Sequence, residues 1–233
     1  MTEKHLSSQF DAELNAVFTH VLEMGGVVES QLQQTISALT HFSAETCDLV
    51  LTIEDRINHQ EVQIDHRVTS IMSRRQPTAR DLRLLVGVSR IIINLERAGD
   101  EISIIAKRLK AVIEDGLPRN IPITELRVMA GLAAELLHRA LDGFARLDVE
   151  GSLSVLNCYG DFDNDHAGLA RKLLTFMMED PRLIGAGLNL MFLARAIERV
   201  GAHATNISEA TIYIVKGADL RHSTAEQRNS IIE

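Results

Sequence analysis

Residues 95–100 read Leu-Glu-Arg-Ala-Gly-Asp, and residues 197–201 read Ile-Glu-Arg-Val-Gly. Each stretch lies in a long segment whose apolar residues recur every three or four positions, the period of one buried stripe on a helix. A shared pattern at an offset of 102 residues marks the same helix occurring twice. One helix earlier, Asp55 pairs with Asp161, Asn58 with Asn164 and Met72 with Met178, at an offset of 106. The difference falls in the turn between the second and third helices, where an insertion is easily absorbed. The sequence therefore reads as a duplicated three-helix unit, repeating roughly every 105 residues.

Working outward, Phe10, Leu14, Val17, Val21, Met24, Val28, Leu32, Ile36 and Leu39 form one stripe of a first helix that breaks at Ser43. A second stripe, Val50 to Ile71, stops at Ser73-Arg-Arg-Gln-Pro77, because proline disfavours helix in the residue before it. Thr78-Ala-Arg-Asp81 is a capping-box pattern opening a third helix, which ends at Asp115-Gly116. Two prolines and a glycine within 116–122 set the boundary between the repeats. Three further patterns follow, at about 125–147, 149–179 and 181–217, with Asp148 and Asp180 as N-caps. The expected architecture is all-α: two tandem, pseudosymmetric three-helix bundles over 1–115 and 124–217, a linker at 116–123, and a loose tail over 218–233.

Composition narrows the function classes. The chain has 233 residues, 45% of them hydrophobic, with four prolines and no tryptophan, enough apolar side chain to bury a core. Its 24 Lys and Arg stand against 32 Asp and Glu, a formal charge of -8 that argues against a nucleic-acid partner. Cys47 and Cys158 stand far apart without a CxxC, so neither a zinc knuckle nor a disulfide framework is visible, and a reduced cytoplasmic setting is expected. Nothing approaches the roughly 20 apolar residues of a membrane span, and Met1 to Asp11 is not signal-like.

The chemistry-bearing pattern is carboxylate. Glu96 and Asp100 are one helical turn apart on one face, where two like charges repel unless a cation offsets them. Asp55 and His59 on the preceding helix have the same spacing, and Asp161, Asp165 and Glu198 hold the corresponding places in the second repeat, where Ala202 replaces the second acid of the pair. Oxygen and imidazole donors of this kind hold Mg, Mn, Fe or Zn. A salt-bridged polar face is the bland alternative, since Arg97 and Arg199 follow the glutamates. Glu135 and His138 have ExxH spacing, but Glu135 sits off its apolar stripe and reads as exposed. Glycines 25, 26, 99, 185, 187 and 201 read as close helix contacts, and Met177, Met178 and Met191 as core. No nucleophile-base pair or phosphate loop is visible.

Taken together, Leu95 to Asp100, Ile197 to Gly201 with Asn206-Ile207, Arg75-Gln-Pro-Thr-Ala-Arg-Asp-Leu-Arg83, Phe144-Ala-Arg-Leu-Asp148 and Met177-Met-Glu-Asp180 resemble the PhoU family of phosphate-transport accessory proteins, from about His5 to His222. The resemblance implies a homodimer or higher oligomer with E/DxxxD metal motifs: Asp55, His59, Glu96 and Asp100 in the first repeat, and Asp161, Asp165 and Glu198 in the second. It also implies a non-enzymatic cytoplasmic adaptor that represses the phosphate-starvation response. Such an adaptor links the ATPase subunit of a phosphate ABC transporter to a sensor histidine kinase, limits phosphate uptake and meets the membrane only through these partners. The turn Phe144, Ala145, Arg146 and Asp148 is a candidate partner contact, with helix capping by Asp148 as the competing reading. A carboxylate-bridged metal enzyme and a metal-independent dimeric scaffold are the alternatives.

Overall fold

The computed structural model describes residues 8–116, 122–221 and 223. Six helices follow in order: α1 (Ser8–His41), α2 (Ala44–Arg75), α3 (Ala79–Glu114), α4 (Ile123–Arg146), α5 (Val149–Glu179) and α6 (Ile184–Lys216), with a single 3₁₀ turn at Pro181–Leu183 before α6. Most of the linker, 117–121, and the end of the tail, 224–233, lie outside the described residues.

The helix ends follow from local chemistry. Ser43 Oγ accepts from the Thr46 N–H at 3.1 Å, Asp148 Oδ1 from the Gly151 N–H at 3.1 Å, and Asp180 Oδ1 from the Arg182 N–H at 3.0 Å. Each satisfies a first-turn amide that no carbonyl can reach. Thr78 does not, so the capping box expected at Thr78 to Asp81 is absent and Thr78 enters α3 through extended backbone alone. Gln76 and Leu147 end α2 and α4 in the left-handed region, at φ 47° and 52°.

Within each repeat the helices are neighbours in a bundle, and one core joins the two. Buried side chains of all six helices form one continuous cluster. Across the seam, α3 and α6 run antiparallel: Arg83 reaches the Ile214 carbonyl, Asn94 meets His203, Glu101 pairs with Arg199, and Arg108 bonds Asn189. Alongside, α1 and α4 are antiparallel too, with Phe18 and Phe144 ring centroids 4.6 Å apart and Arg127 donating to the Leu39 and Thr40 carbonyls. Gln31 is fully buried, and its Nε2 donates to the Val50 carbonyl and Ser103 Oγ, both at 3.3 Å, tying α1 to α2 and α3. These two bonds satisfy the amide nitrogen and link three helices, while Gln31 Oε1 has no hydrogen-bond partner among the described residues.

Small residues set the helix spacing where contact is closest. A Cβ on Gly99 would lie 2.9 Å from Ile57 Cδ1, and one on Gly201 would lie 2.5 Å from Phe162 Cε1. Gly25 and Gly187 are similarly filled by Leu141 and Met177, whereas Gly26 and Gly185 face open space, against expectation. Met178 is also outside the core at 83% exposure, because it lies one residue, or 100° of helix, beyond the stripe position of Met177. The tail does not come free at 218: Leu220 is buried against Leu153, Leu156 and Ile212, an apolar anchor that the polar composition of its neighbours hid.

Candidate functional site

The helix α3 stripe places Glu96 and Asp100 half-buried on the side facing α2. Their neighbours there are Glu54 and Glu61, and the α2 positions 54, 58, 61 and 65 recur at steps of three and four along one face. Burial pushes the carboxyls of Glu61, Glu96 and Asp100 above the ordinary range, and neighbouring charges push them further: Asp65 and Asp100 on Glu61, Asp100 and Glu61 on Glu96, Glu54 on Asp100. The closeness of the Glu96 and Asp100 carboxyls, one helical turn apart, partly offsets this for Asp100 and adds to the rise at Glu96. Lys107 relieves one edge, 3.7 Å from Glu54. The buried Asn58 Oδ1, between Glu54 and Glu61 in the stripe, has no hydrogen-bond partner.

Asp55 and His59 are not part of this cluster. Both are exposed, and the His59 ring bonds the Asp55 carbonyl of its own helix at 2.6 Å. The reason is register. Gly99 packs on Ile57 and Gly201 on Phe162, so α2 and α5 correspond at an offset of 105, whereas identical residue letters suggested 106. One residue is 100° of rotation, enough to exchange Glu54 for Asp55 at the site.

In the second repeat that register puts Tyr159 where Glu54 stands in the first, and Ala202 where Asp100 stands. Glu198, 4% exposed, receives a hydrogen bond from the Tyr159 hydroxyl, and its Oε2 lies 2.7 Å from Arg195 in an ion pair that lacks hydrogen-bond alignment. Asp161 and Asp165 are exposed. One repeat thus gathers four carboxylates that Arg97 and Lys107 only partly offset, while the other has a tyrosine, a histidine (His166), an alanine and an arginine-paired glutamate in their places.

The donor chemistry of the first cluster fits a hard cation: carboxylates plus an orphaned amide oxygen, with no imidazole. Among the described residues no three His, Cys, Asp or Glu side chains converge in ligating geometry, so coordination would require rotamer changes at the half-exposed Glu54, Glu61, Glu96 and Asp100. Glu135 is exposed and His138 pairs instead with Glu29 of α1 at 2.8 Å, which removes the ExxH arrangement from consideration.

At the α4–α5 turn, Phe144 is fully buried and packs on Phe18, so it belongs to the core. Asp148 caps α5. Ala145 and Arg146 remain exposed, Arg146 bonded to Asp142 at 3.0 Å on its own helix. Gly143 permits the tight return, since a Cβ there would sit 2.7 Å from Ser152 Oγ. Among the described residues no helix is long and apolar enough to cross a membrane.

Comparison with known proteins agrees in length and fold. The PhoU domain matches twice, over residues 21–109 and 126–211. A phosphate-specific transport system accessory protein PhoU homolog from a Burkholderia species is 42% identical over 97% of this chain and 97% of its own. The Escherichia coli accessory protein PhoU is 36% identical over 98% and 94%. The crystal structure of PhoU from Pseudomonas aeruginosa superposes with a TM-score of 0.87 at 40% identity, covering 90% of this chain and all of that one. The phosphate transport system regulatory protein PhoU from Streptococcus pneumoniae, 23% identical, shares the fold with a TM-score of 0.82 over 90% of this chain and 98% of that one. With two copies of its domain arranged as one fused pair of three-helix bundles, the chain belongs to the PhoU family.

Proposed function

We propose that this chain is a cytoplasmic negative regulator of the phosphate-starvation response. It holds the ATPase subunit of a phosphate ABC transporter and a phosphate-sensing histidine kinase in a repressing assembly and limits phosphate uptake. It acts by binding one conformation of its partners better than another, because only differential affinity can shift their equilibrium. It performs no catalysis and works as a homodimer or higher oligomer. The observation that carries this reading is its 36–42% identity, over nearly the whole chain, to phosphate-specific transport system accessory proteins.

Two surfaces serve that role. Ala145 and Arg146 stand on a turn that a rigid bundle presents to partners. Glu54, Glu61, Glu96 and Asp100 would hold a cation such as Mg, Mn or Fe, whose charge would cancel their repulsion and bridge to anionic partner groups. The absence of histidine from the cluster weighs against Zn.

Deletion of the gene in its native host, with phosphatase expression measured in high phosphate, tests the regulatory reading. Expression should rise severalfold on deletion and return on complementation. Unchanged repression in the deletion strain would sink it.

A further inference from the structure

We propose that the groove between α3 and α6 around Arg108 and Phe192 docks an acidic, amphipathic helical segment of a partner protein. The groove, about 380 Å³, shares no lining residue with the α4–α5 turn and borders the carboxylate cluster at Lys107. Its sides carry Lys107, Arg108, Arg195 and Arg199, and the one carboxylate lining it is Glu101. On a chain of net charge -8 that concentration of cations is opposite in sign to the whole.

The cations are not all neutralised internally. Arg199 pairs with Glu101 at 2.8 Å and Arg195 with Glu198 at 2.7 Å, and Lys107 is 3.7 Å from Glu54. Among the described residues Arg108 meets only neutral groups, the Asn189 side-chain carbonyl at 3.3 Å and the face of the Phe192 ring at 4.8 Å. Its charge is available to a carboxylate brought from outside.

A small anion would leave the rest of the surface unused. Ile184, Leu188 and Phe192 are spaced four apart on α6 and are 44%, 45% and 52% exposed, with Ile104 of α3 exposed at 38% across the groove. Phe192 and Ile104 within the groove, continued along α6 by Leu188 and Ile184, together with the cation of Arg108, match a helix with leucines on one face and glutamates along its flank. The concave shape favours a helix over a flat lipid surface.

The fold carries its own precedent. By the 102-residue offset, Ile104, Arg108, Phe192, Arg195 and Ala196 correspond to Asn206, Ala210, Arg90, Ile93 and Asn94, which line a second groove at the other end of the same interface. The chain's own tail contributes Asp219 and Arg221 to the lining of that groove. Asp219 lines it, bonded by Arg221 and 3.9 Å from Arg90, while the next residue, Leu220, packs outside it on Leu153, Leu156 and Ile212. The chain's own acid, Asp219, thus lines one member of a pseudosymmetric pair, and the other member, with more cations and a single carboxylate, takes an acidic segment from a second protein.

The test uses the purified full chain and a fluorescein-labelled designed helix of about 18 residues, with leucines at i, i+3, i+4 and i+7 and glutamates on the flanks, read by anisotropy. Wild type should bind it and should not bind the same helix with lysine in place of glutamate. Affinity should fall about tenfold or more in Arg108→Glu and in Phe192→Ser, both exposed positions, with circular dichroism and Tm confirming that the variants are folded. No binding by wild type, or equal binding by folded Arg108→Glu, overturns the proposal. Preferential binding of phosphatidylserine vesicles, or self-association lost in Arg108→Glu, overturns it in favour of a membrane or a second copy. Because the readout is a purified interaction, it succeeds or fails independently of the phosphatase experiment.

Discussion

The Tyr159 hydroxyl donates its hydrogen bond to the buried carboxylate of Glu198, joining α5 to α6 at the point where the first repeat has only acids. Burial and this bond to a carboxylate hold the phenol above its ordinary ionisation range. Tyr159→Phe leaves Glu198 with Arg195 alone and should cost about 1–3 kcal/mol by chemical denaturation. In a spectrophotometric titration of wild type, one of the two tyrosines should ionise only as the protein unfolds; two normal titrations would refute the bond.

Glu61, Glu96 and Asp100 have raised carboxyl ionisations in the folded state. The folded protein therefore binds more protons at these groups than the unfolded chain, and their contribution to stability is present below the unfolded carboxylate range and lost as pH rises through the folded values. Glu96→Gln should raise cation-free stability at pH 7 by a few tenths of a kcal/mol per relieved repulsion, with no gain at pH 4. Millimolar Mg or Mn should raise the wild-type Tm and leave the Glu96→Gln, Asp100→Asn double variant unmoved. Equal cation stabilisation of both proteins would show that the ion binds elsewhere.

His203 behaves oppositely. Burial, with help from Arg199 and Arg97, holds its ionisation down at about 4, and Asn94 Oδ1, which also accepts from Asn206, requires a proton on the facing Nδ1. The unfolded chain takes up the second proton first, so stability falls as pH drops from about 6.5 through 4, by up to about 3 kcal/mol. The C2 proton resonance of His203 should be static in NMR spectra down to pH 5, and movement centred near 6.5 would contradict the buried neutral ring.

Glycines offer a paired comparison. Gly201→Ala should destabilise by about 1–3 kcal/mol, because its Cβ would meet Phe162 at 2.5 Å. Gly26→Ala, in open space on α1, should stabilise by about 0.5–1 kcal/mol. Thermal melts of the two variants should move in opposite directions.

The turn at 144–148 separates packing from recognition. Phe144→Ala should cost about 3–5 kcal/mol, since the ring is fully buried against Phe18. Arg146→Glu, at an exposed position, should stay within about 0.5 kcal/mol of wild type and still derepress phosphatase in cells. Normal repression with Arg146→Glu would remove this turn from the proposed partner surface.

The duplication was readable because Glu-Arg-Xaa-Gly recurs at Gly99 and Gly201, where a neighbouring helix packs against the glycine and leaves no room for a Cβ. Register was harder. Matching identical letters aligned Asp55 with Asp161, whereas packing aligns Ile57 with Phe162, two apolar residues of different shape that share only their place against a glycine. Phe144 was misread as surface because a turn motif says nothing about which of its side chains folds inward. Gln31 and Leu220 gave no signal, one being polar within a core stripe and the other apolar within a polar tail.

The continuous core across α3 and α6 has a mechanical consequence. Two halves that share one buried core along antiparallel α3 and α6 would have to part apolar contacts in order to hinge.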